Sequence, residues 1–249
     1  MPFNTTLFSL NLKKLWRPKY HKSPLKPFIM KNIFKIFSLF LAFSFTVLSA
    51  QQKPDYYDDI QHFKKLDSET APPKDAILFI GSSTFTKWTD VADYFPDKTI
   101  INRGFGGSRF VNLNYYAEDL LNPYQPKQVV IYCGDNDISN QDKPSAEVVF
   151  ERFKKFYSTV RTHYPKANIA YISVKFSPSR EQFWGEMKKL NLKIEKYLKK
   201  QKNTNYIDIT KAMNDENGKV RTDLYLEDML HMKPEGYKIW AKIMYPYLK

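Results

Sequence analysis

Four short clusters in this chain hold residue types able to do chemistry, and each follows an apolar run or precedes the last helical stretch. The first is Gly81-Ser82-Ser83-Thr84. A serine on a strand-to-helix turn is held at a sheet edge, with free N–H groups of the helix start facing the same space. That suits a nucleophile and a developing oxyanion. Serine is also a common helix cap, so either hydroxyl could do only that. The second cluster, Asn102-Arg103-Gly104-Phe105-Gly106-Gly107-Ser108, has glycines that let the backbone turn tightly and bring N–H groups close to a ligand. A nucleotide-binding reading fails on spacing, because Arg109 occupies the third glycine position of GxGxxG; a plain turn remains open.

The third cluster is Gly134-Asp135-Asn136-Asp137, where an asparagine amide can aim two N–H donors at a substrate oxygen and acids can hold the loop. Taken alone it is an ordinary turn. The fourth is Asp228-Met229-Leu230-His231, ahead of Pro234 and Gly236. A carboxylate three residues before a loop histidine can fold back onto Nδ1–H and support an imidazolium. A surface histidine would read the same way in isolation. Of the four histidines, His21, His62 and His163 have no such setting. A further segment, Ser177-Pro178-Ser179-Arg180 with Trp184 nearby, is a candidate substrate contact, although Arg180 also fits a solvated helix start.

The elements that must position these clusters are legible as alternating strands and helices. Short runs rich in Ile, Val, Phe and Tyr stand at 76–80, 99–102, 128–133, 168–174 and 205–209. Several are continuously apolar, as strands covered on both faces must be. Helical stretches are expected at 84–94, 109–121, 146–163, 180–200 and 234–247, the last with proline in its first turn. This alternation predicts one α/β domain with a parallel sheet and helices on both faces. Such folds work at the carboxyl ends of their strands, where the first three clusters fall.

Order and spacing together carry a resemblance. Gly81-Ser82-Ser83, Asn102 through Gly107, Gly134 through Asp137 and Asp228 with His231 resemble, in order, the four blocks of the SGNH, or GDSL-like, hydrolases. The resemblance spans roughly residues 77–248 and implies a three-layer α/β/α sandwich of flavodoxin-like type with a mainly parallel central sheet. It implies Ser83 as nucleophile, His231 and Asp228 as its partners, and an oxyanion hole of the Ser83 N–H, Gly107 and Asn136. One position departs: Ser82 stands where the family has aspartate, which bears on loop geometry more than on the attacking atom. The implied activity is that of a serine esterase. Export, read from the leader described below, and the absence of a long apolar lid segment favour an O-acyl ester of short acetyl type on a small-molecule or carbohydrate partner; no cysteine pair or HExxH helix suggests a metal, and no cofactor is expected. The rival reading is a non-catalytic carbohydrate-binding module on the same fold.

Charge looks at first like a nucleic-acid signature, at +13. Residues 1–50, however, hold eight of the 39 basic residues and no acid, leaving 31 basic against 26 acidic for the rest. That ordinary balance excludes a dedicated nucleic-acid binder. The leader itself reads as a targeting segment. Met30, Lys31 and Lys35 precede an apolar run at 36–47 and then Leu48-Ser49-Ala50, so 30–50 is expected to be a signal peptide cut before Gln51. The run is too short for a membrane span, and an uncleaved anchor is the alternative. Residues 1–29 then form an upstream extension, 51–75 a linker with a short helix near 58–66, and 76–249 the hydrolase domain. The single cysteine, Cys133, can form no internal disulfide and is expected to be a small buried hydrophobe.

Overall fold

Five strands run parallel in the order β2-β1-β3-β4-β5: β1 (Ile77–Gly81), β2 (Ile100–Gly104), β3 (Gln128–Tyr132), β4 (Asn168–Ile172) and β5 (Thr204–Ile207). The structure, a computed structural model, describes residues 53–249. The expected upstream extension and signal peptide lie outside the described residues. Within β1 and β3 every residue is buried, which explains their uninterrupted apolar sequence.

Side chains alternate between the two faces, as the pleat requires. Leu78, Ile80, Val129, Ile131, Ile169 and Tyr171 point to one face. There they meet α1 (Tyr57–Glu69), α3 (Phe110–Tyr115), α4 (Ala117–Leu121), α6 (Ala146–His163) and α7 (Trp184–Leu198). Ile77, Phe79, Val130, Tyr132, Ala170 and Ile172 point to the other, covered by α2 (Ser83–Thr86) and α8 (Pro234–Met244). A one-turn helix, α5 (Asp135–Ile138), follows β3. The result is the expected three-layer sandwich.

Helix lengths differ from expectation, for tertiary reasons. The stretch 84–94 makes one turn of α2 and then a separate 3₁₀ turn, Val91–Tyr94, because Trp88 leaves the helix to bury its whole side chain 4.8 Å from the Tyr237 ring. The stretch 109–121 breaks at Tyr116, which has non-helical backbone (φ −95°, ψ 19°). Its ring packs on Phe105 and its hydroxyl donates to the Asp55 carbonyl at 2.8 Å. A 3₁₀ turn, Pro178–Phe183, precedes α7. The segment before β1 is no loose tether: α1 lays Ile60 into the core with Phe63 packed beside it. Cys133 is fully buried, its thiol 3.7 Å from the Ser108 carbonyl, and burial pushes its pKa well up.

Candidate active site

Strand order decides where a site can form. The chain winds outward from β1 to β2 and then returns to place β3 on β1's other side, so the loops after β1 and β3 diverge and leave a crevice. Ser83 follows β1 and Asn136 follows β3.

The turn that carries Ser83 is built by close backbone approach. A side chain at Gly81 would put its Cβ 2.0 Å from the Tyr132 carbonyl oxygen, so only glycine fits. Ser82 then adopts extended backbone and Ser83 opens α2. Asn102 fixes the turn from β2, donating through Nδ2 to the Phe85 carbonyl at 2.8 Å while its Oδ1 accepts from the Gly104 N–H at 3.0 Å. From the other side the Tyr237 hydroxyl of α8 donates to the Thr84 carbonyl at 2.9 Å. Ser82, the position that departs from the family pattern, is fully buried, and its hydroxyl has no hydrogen-bond partner among the described residues.

The Asp228–His231 loop is closed by Tyr225 pairing antiparallel with Met232 and by the Leu226 N–H donating to the His231 carbonyl at 2.8 Å. Within it Asp228 Oδ1 accepts the backbone N–H groups of Leu230 and His231, both at 2.9 Å. Asp228 Oδ2 lies 2.6 Å from His231 Nδ1, and His231 Nε2 lies 2.9 Å from Ser83 Oγ. Burial works to raise the Asp228 pKa, but the His231 ring and those two N–H groups outweigh it and hold the carboxyl at about 2. With Nδ1–H given to an ionised carboxylate, Nε2 is left to accept from the serine hydroxyl. The histidine side chain is 15% exposed and the aspartate 47%, so solvent reaches this line of three.

The loops after β2 and β3 carry two other residues singled out from the sequence. Gly107 is exposed and holds a positive φ of 78°, a conformation open to glycine at little cost. The N–H groups of Ser83 and Gly107 donate to no backbone carbonyl among the described residues. Asn136 donates through Nδ2 to the Ser108 carbonyl at 3.1 Å, which ties the amide to the glycine loop. Asp137 ties the same two loops: Oδ2 accepts the Phe110 N–H at 2.8 Å and Oδ1 pairs with Arg152 at 3.0 Å. Burial raises the Asp137 pKa to about 6 despite those partners.

Two candidate substrate contacts are engaged by the protein itself. Arg180 Nη2 donates to Asn136 Oδ1 at 2.6 Å, and Nη1 lies 3.0 Å from Asp135 Oδ2. Trp184 donates its indole N–H to the Ser177 carbonyl at 3.0 Å and packs on Phe176.

Sequence reasoning missed two features. Under Asn136 lies a buried ionic cluster in which Lys175 Nζ bonds Thr84 Oγ1, the Tyr132 hydroxyl and Asp135 Oδ2 at 3.2, 3.2 and 3.3 Å. Burial would raise the Asp135 pKa, but Lys175 and Arg180 hold it below the usual carboxylate value; burial lowers that of Lys175 although Asp135 opposes it. Nothing in Val174-Lys175-Phe176 marks the lysine as buried. The second feature is Tyr56, whose hydroxyl would stand 3.3 Å from a Cβ added to Gly107. Its left-handed backbone (φ 65°) was not legible either.

The sheet order and its flanking helices define a three-layer α/β/α protein of flavodoxin-like topology. The profile of the GDSL-like lipase/acylhydrolase family matches residues 67–239, and the chain belongs to that family. No curated protein sequence matches it. Among solved structures it is similar to a GDSL-like lipase from Bacteroides thetaiotaomicron, at TM-score 0.64 and 21% identity over 76% of this chain and 96% of that one. It is also similar to a Veillonella parvula member of the lipolytic G-D-S-L family, at TM-score 0.57 and 15% identity over 69% and 96% of the two chains. A family 3 carbohydrate esterase from Clostridium thermocellum matches at TM-score 0.56 and 16% identity, over 70% and 94%. At these identities the likeness is one of fold. Among the described residues no helix is long and apolar enough to cross a membrane, and no group of three His, Cys, Asp or Glu side chains stands ready to hold a metal ion.

Proposed function

We propose that this chain is an exported serine esterase that cleaves a short O-acyl ester, of acetyl type, through an acyl-enzyme on Ser83. The observation that carries the reading is the unbroken line Ser83 Oγ, His231 Nε2, His231 Nδ1, Asp228 Oδ2, with spacings of 2.9 and 2.6 Å across its two hydrogen bonds.

The chemistry follows from that line. His231 Nε2 takes the hydroxyl proton as Ser83 Oγ bonds to the ester carbonyl carbon, and the carbonyl electron pair moves to oxygen. Asp228 keeps the ring in the accepting tautomer and stabilises the imidazolium. The Ser83 N–H, the Gly107 N–H and an Asn136 amide hydrogen receive the oxyanion. As the tetrahedral centre collapses, His231 returns the proton to the departing alkoxide, and the alcohol leaves. Water then attacks the acyl-enzyme with His231 again as base, releasing the carboxylic acid and restoring Ser83.

Solvent access to His231 and Asp228 favours a small, polar ester over a long acyl chain sunk in a tunnel. The similarity to a family 3 carbohydrate esterase supports a sugar as the alcohol. Export rests on the leader at 30–50, and sequencing the mature protein should begin at Gln51. The decisive experiment is Ser83→Ala assayed on p-nitrophenyl acetate. The loss expected is about 10⁴-fold or more in kcat with an unchanged unfolding midpoint. Wild-type turnover in that variant would overturn the serine reading.

A further inference from the structure

The 3₁₀ turn Pro178–Phe183 touches both halves of the site with two adjacent residues. Ser179 grips the acid–base loop: its N–H and its Oγ both donate to the Met229 carbonyl, at 3.1 and 3.0 Å. Met229 lies between Asp228 and His231 with a left-handed φ of 52°, a conformation costly for a side chain of its kind and therefore in need of such a restraint. Arg180 grips the other half, through its 2.6 Å bond to Asn136 Oδ1.

That bond does something a substrate contact would not. An amide can present either its oxygen or its NH₂ to a neighbour, and only the NH₂ stabilises an oxyanion. With Oδ1 taken by a guanidinium, the Asn136 amide cannot flip without losing a charge-assisted bond. Nδ2 is then left toward the glycine loop, one hydrogen on the Ser108 carbonyl and one to give. Arg180 is itself held. Its side chain is 14% exposed, and Nη1 stands 3.0 Å from Asp135, whose own side chain is 4% exposed. Asp135 Oδ1 accepts the Asn136 backbone N–H at 3.0 Å, so one carboxylate anchors both the residue that is aimed and the residue that aims it. Two cations, Lys175 and Arg180, face that single buried acid, which leaves positive potential directly behind the amide.

We propose that Arg180 is a positioning residue for oxyanion stabilisation: it orients the Asn136 amide, and through its neighbour Ser179 the same turn fixes that amide relative to the Asp228–His231 loop. Arg180 therefore acts through Asn136 and not on the substrate. The inference rests on the serine-esterase reading above, and its test keeps the two separable.

The test is a double-mutant cycle on p-nitrophenyl acetate with Arg180→Ala, Asn136→Ala, the double variant and Arg180→Lys, with Ser83→Ala as the blank. Asn136→Ala should lower kcat by about 10²–10³-fold. Arg180→Ala should lower kcat by about 10–10²-fold and leave KM within about twofold, the signature of an interaction made only in the transition state. In the Asn136→Ala background the same arginine change should cost less than about twofold, because its target is gone. Arg180→Lys, a point charge without the fork that reaches both Asn136 and Asp135, should fall between wild type and Arg180→Ala. Independent, multiplying losses would overturn the proposal, as would a raised KM with kcat preserved or wild-type kcat in Arg180→Lys. Should Arg180→Ala fail to fold, Arg180→Lys carries the cycle by the same criteria. An active Ser83→Ala enzyme would sink the serine reading first, whatever the cycle shows.

Discussion

Both ends of the sheet gather polar groups, and they do opposite things with them. At the amino end Gln128, the first residue of β3, donates to Asn168 Oδ1 at 2.7 Å and to the Tyr247 carbonyl at 2.8 Å, while its Oε1 accepts the Lys249 N–H at 3.1 Å. Asn168 passes the chain on to Asn203 at 3.1 Å, and Asn203 to the Lys166 carbonyl at 2.9 Å. Every amide in that ladder is answered by the protein. At the carboxyl end the Ser83 and Gly107 N–H groups and one Asn136 hydrogen are left with no backbone carbonyl to bond among the described residues. Buried polarity alone therefore marks no site; donors left without a protein partner distinguish this end from the other.

Several changes should break or sharpen that contrast. The largest effect is expected for Asp228→Asn, which keeps the shape but removes the charge that fixes the His231 tautomer. Turnover of p-nitrophenyl acetate should fall by about 10⁴-fold with an unchanged melting curve. Gly107→Ala should come next. A Cβ at φ 78° is strained and would lie 3.3 Å from the Tyr56 hydroxyl, so stability should drop by about 1–2 kcal/mol. As the N–H shifts out of line, kcat should fall by about 10²-fold. Gln128→Ala tests the other end: it strands the Asn168 amide and should cost about 1–3 kcal/mol in urea unfolding while kcat stays within about twofold. A folded Gln128→Ala enzyme with collapsed turnover would abolish the distinction between the ends.

The smallest effect is a pH signature. The Asp228 carboxyl titrates at about 2 in the fold against an ordinary 3.8. A depressed carboxyl contributes stability above its unfolded value, and that contribution is lost as pH falls through the folded one. Unfolding measured at pH 5 and pH 2.5 should therefore show a slightly smaller acid loss in Asp228→Asn than in wild type. The side chain is half exposed, so screening keeps the difference small.

Much of this was visible in the chain before folding. Parallel central strands must be apolar on both faces, so β1, β3 and β4 announced themselves, and the residues just past each strand end were then readable as chemistry. The loops of Ser83 and Asn136 were reached this way, Asp228 and His231 as a pair ahead of the last helix, and the choice of Ser83 over Ser82 by the family resemblance; the structure lines up Ser83, His231 and Asp228. The parts that stayed hidden depend on distant segments meeting. Lys175 reads as an ordinary solvated lysine and becomes buried only because Thr84, Tyr132 and Asp135 close around it. Arg180 reads as a candidate substrate contact or a solvated helix start, and its bond to Asn136 depends on two loops distant in the chain meeting. The early end of α2 and the break at Tyr116 have a similar origin, since Trp88 and Tyr116 are drawn into contacts that helix periodicity does not encode.

The buried thiol of Cys133 gives the enzyme a reporter of its own. It is fully buried beside the Ser108 carbonyl, with its ionisation suppressed, so a thiol-reactive dye can label it only during excursions that open the packing around it. With one cysteine in the chain, the labelling clock has a single hand, and its rate in each variant would read how often the packing around Cys133 opens.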